Sequence, residues 1–406
     1  MAEDSVQQPS PTPADARWMR AALRAARRGV GHVEPNPPVG CVLVSARGEL
    51  IATGYHQRSG GPHAEAHALA LARAGGIDPA GATAYVSLEP CCSFPGKRTP
   101  ACSSALLEAG VRRVFVAVED PHPAVRGRGI AALRAGGADV RVGLLAEAAA
   151  ELIAPYAHRR QTGRPWVIAK WAQSLDGRIA TAAGQSRWIS GPAAQRDAHR
   201  LRAICDAVLI GAGTLRDDNP WLLPRLPRPA RIPARVVVSG RADLPEQARL
   251  FSEESLAAGP VHIWTLDRPP GRSTLLDRLQ RRGVIVQRVS GGRAGTLGRP
   301  QWSELLTQAG SVGWTRLLVE GGGVLLASLL RARIVCETVV YCAGMVLGGD
   351  ARPAVAAAGW LRLRDAPRLG PLSVRRLDGG DLRVSACVLP DAPDAAASQS
   401  ADNPAW

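Results

Sequence analysis

The residue types best able to do chemistry in this 406-residue sequence gather in one stretch: His63-Ala64-Glu65, Glu89-Pro90-Cys91-Cys92 and Cys102. One imidazole nitrogen and two thiolates make three protein ligands, the number a catalytic zinc (Zn2+) uses when its fourth position is left to water. His63, Cys91 and Cys102 are the expected ligands, with Cys92 open as a replacement for Cys91. Glu65 stands two residues from His63 and does not share its helix face. It is therefore expected to be no ligand, but a neighbour carrying protons from the bound water to a departing group. Two other readings compete. His63-x-x-x-His67 has the spacing of a zinc protease pair, yet that motif needs Glu directly after the first His, and Ala64 stands there. His67 then reads as an ordinary helix histidine. A purely structural zinc site needs a fourth protein ligand, and none is obvious.

A second set of groups lies further along. Lys170 ends a strand-like run and leads into Ser174-Leu175-Asp176-Gly177, followed by Gly184-Gln185-Ser186-Arg187-Trp188. A solvated lysine is the plain alternative to a phosphate-binding one. Gly211-Ala212-Gly213-Thr214 follows another strand-like run, and Leu317-Leu318-Val319-Glu320-Gly321-Gly322-Gly323 feeds a helix-like one. A strand, a glycine turn and a helix start can cradle a pyrophosphate, because bare backbone N–H groups approach its oxygens. The Gly-x-Gly-x-x-Gly spacing is absent, which argues against a standard dinucleotide-binding fold.

These groups require elements to hold them. In the first half, strand patterns at 39–44, 84–88 and 114–118 alternate with helix patterns at 62–74, 101–109, 129–135 and 144–156, after a first helix at 17–28. Residues 158–165, polar and broken by Gly163 and Pro165, read as a linker. Eight further strand patterns (166–171, 207–210, 234–239, 261–265, 284–289, 316–319, 338–343 and 382–388) predict a large open sheet covered on both faces. The expected organisation is a loose tail at 1–16, one α/β domain at 17–157, the linker, a second α/β domain at 166–390 and a loose tail at 391–406.

Composition excludes several classes. Eight cysteines in a chain this long make no disulfide scaffold, and no run is long and apolar enough to span a membrane, so a cytoplasmic protein is expected. The formal charge of +15 is nearly all arginine, scattered, with aromatics at only 4%. That distribution speaks against nucleic acid and leaves phosphorylated small molecules as the ligands a positive field would attract. Only two lysines occur, Lys97 and Lys170, and each sits inside a motif.

His-x-Glu followed by Pro-Cys is the signature of zinc-dependent base deaminases, although the editing members place their cysteines three apart and here the interval is eleven. With Pro35-Asn36-Pro37-Pro38-Val39-Gly40-Cys41, Gly96-Lys97-Arg98-Thr99-Pro100 and Asp120-Pro121-His122-Pro123 added, the sequence resembles the bifunctional deaminase-reductase family of riboflavin biosynthesis. The resemblance implies a cytidine-deaminase-like α/β/α domain followed by a dihydrofolate-reductase-like α/β domain, with zinc and NADPH as cofactors. It implies hydrolysis of the 2-amino group of 2,5-diamino-6-(5-phosphoribosylamino)pyrimidin-4(3H)-one, then reduction of the ribosyl group to ribityl. Asn36 would contact the pyrimidine, whereas turn chemistry alone would explain it otherwise. Lys97 and Asp120 would handle the ribose phosphate. Lys170, Ser186, Arg202, Leu222, Arg225 and Glu320 would bind the second substrate, the two arginines suiting a phosphate through forked hydrogen bonds. Ala172, Trp188, Thr214, Asp218, Ser239, Gly322 and Gly323 would meet the cofactor. A homo-oligomer is expected as well. The chain departs from the family in its wider cysteine interval, in the adjacent Cys91 and Cys92, in His122 where Asn is usual, and in lacking the Asp-Ser pair around Ser239. Two rivals remain: a tRNA-type deaminase with an accessory nucleotide-binding domain, and a zinc-stabilised scaffold without catalysis.

Overall fold

The computed structural model describes residues 10–93, 100–267, 273–289, 301–356 and 359–390. The chain divides into two compact units, one carried by residues up to Pro165 with Ala309–Thr315, the other by the remainder from Trp166.

The first unit opens on α1 (Pro13–Arg27), which starts earlier than the expected first helix and cuts into the supposed tail. The cause is a capping box: Thr12 Oγ1 accepts from Asp15 N at 3.2 Å, and the Asp15 carboxylate accepts from Thr12 N at 2.7 Å. Met19, Ala22, Leu23 and Ala26 recur at helical spacing and are all buried. There follow β1 (Gly40–Val44), β2 (Leu50–Tyr55), α2 (Ala64–Ala74), β3 (Thr83–Val86), α3 (Cys102–Glu108), β4 (Arg113–Val116), α4 (Arg128–Ala135), β5 (Asp139–Val142) and α5 (Ala146–Thr162). The sheet runs β2-β1-β3-β4-β5, with β1 antiparallel to both neighbours and β3, β4 and β5 parallel. Alternation along β1 sends Val42 and Val44 to a core shared with α1, and Cys41 and Leu43 to one shared with α2, α3 and α4. The result is an α/β/α sandwich. Gly54 matters here: a Cβ on it would lie 2.3 Å from Ala64 O, so glycine lets the start of α2 press onto β2. Helix α5 runs on to Thr162, so most of the expected linker is helical. Arg159 and Arg160 suit its last turn, and Gly163 at φ 70° ends it.

The second unit contains β6 (Trp166–Ser174), β7 (Arg178–Ala180), α6 (Pro192–Ala203), β8 (Ala207–Gly211), α7 (Ala212–Asp218), β9 (Ala234–Val238), α8 (Glu253–Ala258), β10 (Val261–Leu266), α9 (Ser273–Arg281) and β11 (Ile285–Val289). After α10 (Trp302–Ser311) come β12 (Arg316–Val319), α11 (Gly323–Arg331), β13 (Glu337–Ala343), β14 (Arg352–Pro353), β15 (Ser373–Arg376) and β16 (Leu382–Cys387). Its nine-stranded sheet has the order β11-β10-β9-β8-β12-β6-β13-β16-β15. The strands up to β13 are parallel, and β16 and β15 close the edge antiparallel. Ile168, Val208, Ile210, Val237, Ile263, Leu318 and Val339 form one buried face of this sheet. The parallel strands therefore carry their functional loops at one common edge, beyond their C-terminal ends.

Candidate active sites

In the first unit the sheet delivers a strand end against two helix starts. His63 is the N-cap of α2, and Cys102 is the first residue of α3. Cys91 follows β3 through Leu88-Glu89-Pro90, and its main-chain oxygen accepts from Ser103 N at 3.2 Å. His63 Nδ1 lies 3.4 Å from Cys91 Sγ and 3.4 Å from Cys102 Sγ. Tetrahedral coordination with ordinary Zn–N and Zn–S bonds puts such atoms about 3.5 Å apart, so the donor set fits zinc in spacing and in chemistry. These three residues are the metal-capable group among the described residues. Cys92 turns its Sγ to Ala124 O at 3.7 Å and is not in the metal-capable group.

Glu65, the second residue of α2, is 2% exposed. Burial, then the Cys91 thiol, push its carboxyl up to about 7, while His63 draws it down. Such a group can both take and give a proton near neutrality. The hydrogen bond with Cys91, then burial and the neighbouring Glu65, raise the Cys102 thiol, a tendency that a bound divalent cation reverses by deprotonating the thiol. His67 bonds the main chain of Tyr55 and is structural.

Two residues near this centre carry no role that the sequence suggests. Glu89 is 3% exposed and accepts four main-chain N–H groups, from Asp120, Gly127, Gly129 and Ile130, at 2.8–3.2 Å. It ties the 120–130 segment to the strand end that carries Cys91. His56 packs its ring edge-on to His63, with centroids 5.4 Å apart, and its buried Nε2 has no partner among the described residues. Asp120 holds its own turn, accepting from His122 N at 2.8 Å and Tyr156 OH at 3.2 Å. Asn36 sits half-buried in the turn before β1, its N–H donating to Val33 O at 2.9 Å. Lys97 lies outside the described residues.

In the second unit Lys170, Ala172, Ser186, Trp188, Arg202, Thr214, Asp218, Leu222, Arg225, Ser239, Glu320, Gly322 and Gly323 all line one cavity of about 1600 Å³. That is more than a single small ligand fills. At its floor Glu320 accepts from Arg202 Nε at 3.0 Å and Nη2 at 2.9 Å, with Lys170 Nζ 3.7 Å away. Burial alone would raise the Glu320 carboxyl, but Arg202 and Lys170 outweigh it and hold it at about 2. The expectation that Arg202 offers its fork to a phosphate is thus corrected, because that fork is closed on Glu320. Leu222 is corrected too. The residue is 3% exposed and its side chain belongs to the core, although it borders the cavity.

Behind Lys170 stands Tyr341, whose ring centroid lies 5.6 Å from Nζ and whose hydroxyl donates to Asp197 at 2.8 Å. The Gly321-Gly322-Gly323 turn has a packing reason at one position. A Cβ on Gly323 would lie 2.7 Å from Pro353 O, whereas one on Gly322 would meet only Thr214 Oγ1 at 3.8 Å, on the cavity side.

Comparison with known proteins agrees with this division. Residues 12–118 match the cytidine and deoxycytidylate deaminase zinc-binding region, and residues 165–380 match the RibD C-terminal domain. The riboflavin biosynthesis protein RibD of Bacillus amyloliquefaciens is 36% identical over 91% of this chain and 95% of that protein. RibD of Escherichia coli K12 is 38% identical over 89% and 96%. Among solved structures, RibD of Acinetobacter baumannii superposes with a TM-score of 0.78 at 34% identity, covering 93% of this chain and 99% of that one. A Thermotoga maritima protein described as a diaminohydroxyphosphoribosylaminopyrimidine deaminase and 5-amino-6-(5-phosphoribosylamino)uracil reductase gives 0.76 at 28% identity with the same coverage. The chain therefore belongs to the RibD family of riboflavin biosynthesis proteins, as a bifunctional enzyme that joins a zinc-dependent deaminase to an NADPH-dependent reductase.

Proposed function

We propose that the deaminase domain, expected at residues 17–157 and extended by the start of α1 at Pro13 and the end of α5 at Thr162, acts on 2,5-diamino-6-(5-phosphoribosylamino)pyrimidin-4(3H)-one, and that the reductase domain comprises residues 166–390 and converts the deaminated ribosyl compound to its ribityl form. His63, Cys91 and Cys102 would hold zinc, which when bound would supply the acidity that makes water a nucleophile at neutral pH. Glu65 accepts the proton released in attack on the ring carbon and returns it to the departing amine as ammonia leaves. Its buried carboxyl at about 7 suits both directions. Asn36 orients the pyrimidine, and Lys97 and Asp120 take the ribose phosphate.

In the second domain the cavity would hold NADPH, which when bound would supply hydride for reduction at C1′ of the sugar. Ala172, Trp188, Thr214, Asp218, Ser239, Gly322 and Gly323 contact the cofactor. Lys170, Ser186, Leu222 and Glu320 hold the substrate. Arg225 takes its phosphate, while Arg202 fixes Glu320 and so orients Lys170 indirectly. Among the described residues no helix is long and apolar enough to cross a membrane. We read the protein as a cytoplasmic homo-oligomer that acts on small molecules and not on nucleic acid.

One observation carries this reading: a three-donor metal cluster with a buried carboxyl near neutrality beside it, in the same chain as a cavity at the ends of a parallel sheet. The test is to give purified protein the diaminopyrimidine nucleotide and follow ammonia and NADPH oxidation separately. Ammonia should appear without NADPH, and NADPH oxidation should require prior ammonia release. Oxidation without deamination, or neither reaction, overturns the reading.

A further inference from the structure

The wall of the reductase cavity next to Arg225 is held by two side chains of α6. His199 and Arg202 lie three residues apart on one helix face, and both line the cavity. Arg202, its fork closed on Glu320, reaches with Nη1 to Leu223 O at 2.8 Å. Nδ1 of His199 accepts the main-chain N–H of Arg225 at 3.1 Å. The same segment is anchored at Asn219, whose Oδ1 accepts from Arg249 N at 2.8 Å, and at the buried Leu222. Leu222 has φ 58°, a left-handed conformation that a residue with a Cβ rarely adopts. Residues 219–225 are thus held in a shape they would not keep unaided. What they present is Arg225, exposed at the cavity rim, with no side-chain hydrogen bond or ion pair among the described residues.

An imidazole accepts through Nδ1 only while that nitrogen carries no proton. Burial first, then the charges of Arg202 and Arg225, bring His199 down to about 4. The ring is therefore neutral near pH 7, with its proton on Nε2.

We propose that His199 is a positioning residue of the reductase: it latches the 219–225 segment to α6 and so sets Arg225 where a phosphate monoester binds. The proposal rests on the assignment of a phosphorylated substrate to this cavity. It explains why a histidine stands on a helix face otherwise occupied by Ala198 and by the Glu320-bound Arg202.

The test measures NADPH oxidation by the full-length protein with 5-amino-6-(5-phosphoribosylamino)uracil and with the same compound lacking its phosphate. His199→Ala should raise KM for the phosphorylated compound about tenfold and leave kcat within about twofold, because a positioned charge contact is weakened and the chemistry is not. With the dephosphorylated compound, kcat/KM should equal that of the unaltered protein. His199→Asn places an amide oxygen near the site of Nδ1 and should restore KM to within about threefold. Arg225→Gln should raise KM about a hundredfold. If Arg225→Gln raises KM and His199→Ala does not, the latch is wrong and the phosphate assignment stands. If neither raises it, both are wrong. A loss equal for the two compounds, or no recovery in His199→Asn, marks a merely structural role and overturns the proposal. Should His199→Ala not fold, His199→Leu, which fills the space without an acceptor, takes its place in the comparison.

Discussion

The deaminase centre and the reductase cavity hold their reacting groups in opposite ways. At the first, four side chains converge from one strand end and two helix starts, and three of their donor atoms lie within 4.8 Å of one another. At the second, the groups come from β6, α6, β9, β12 and the loops between them, around a space of about 1600 Å³. The difference follows from what each reaction asks of the protein. Metal-assisted hydrolysis needs ligands fixed to tenths of an ångström, so they sit on rigid element ends. Hydride transfer leaves the chemistry to the cofactor and asks for orientation over a long contact surface. A concentrated site should fail abruptly when one group is lost, and a distributed one by degrees.

The sharpest test of that contrast is Glu65→Gln. Zinc content should stay at the level of the unaltered protein, since Glu65 is not among the three donors. Ammonia release should fall about 10³- to 10⁴-fold, the upper part of the range for loss of a proton carrier, while NADPH oxidation with the deaminated substrate is unchanged. Metal analysis beside the two assays reads all three quantities. Retained ammonia release would show that the proton path runs elsewhere.

Next in size is Glu320→Gln, which strikes the densest part of the distributed site. Arg202 and Lys170 would lose the carboxylate between them, and leaving buried cations unpaired costs about 3–5 kcal/mol. Reductase kcat/KM should drop about a hundredfold with ammonia release intact, a smaller fall than Glu65→Gln produces in its own reaction. The pH dependence has a definite sign. Glu320 is held at about 2 against an ordinary 4.5, so ionisation favours the folded state. That stabilisation, about 3 kcal/mol from the size of the shift, is complete above about pH 4.5 and is lost as pH falls toward 2. Acid unfolding followed by tryptophan fluorescence should begin at higher pH without Glu320's partners, as in Arg202→Gln.

The contrast also decided what could be read from the sequence. His63, Glu65, Cys91 and Cys102 have few roles in such spacing, so residue type pointed to zinc chemistry before any fold was known. His56 gave no signal, being a single histidine after a strand that was itself missed. Leu50–Tyr55 breaks its alternation with Gly54, and Asp139–Val142 is short and half charged. The edge strand Ser373–Arg376 is exposed throughout and carries no hydrophobic pattern. The start of α1 was legible in Thr12-Pro13-x-Asp15, yet the polar residues before it made the whole stretch look like a tail. In the reductase cavity the missing information is pairing at long range. That Asp197 receives Tyr341, and that Glu320 rather than a phosphate takes the fork of Arg202, depends on residues more than 100 positions apart.

Glu89→Ala gives an effect of intermediate size and separates stability from chemistry. Four N–H groups would lose their acceptor in a buried place, a loss of about 3 kcal/mol after partial rearrangement. Because Glu89 lies in the first unit and is not one of the metal donors, ammonia release should be lost on warming at a temperature where NADPH binding persists. Simultaneous loss of both would mean that the two units do not unfold separately.

The smallest effect should come from Gly322→Ala, and its neighbour makes it informative. At Gly323 an added methyl would stand 2.7 Å from Pro353 O and 2.9 Å from Ala356 N, so Gly323→Ala must push main chain aside and lower the melting temperature. At Gly322 the backbone is extended, with φ −69°, and a methyl meets nothing closer than Thr214 Oγ1 at 3.8 Å. Stability should therefore be unchanged. If the cofactor's phosphates lie against this turn, the methyl occupies space that bare N–H groups need for close approach, and the NADPH dissociation constant should rise about three- to tenfold. Tryptophan fluorescence quenching by NADPH measures the constant, and a thermal melt without cofactor measures the fold. An unchanged constant in Gly322→Ala would move the cofactor's phosphates off this turn, toward the Thr214 side of the same cavity.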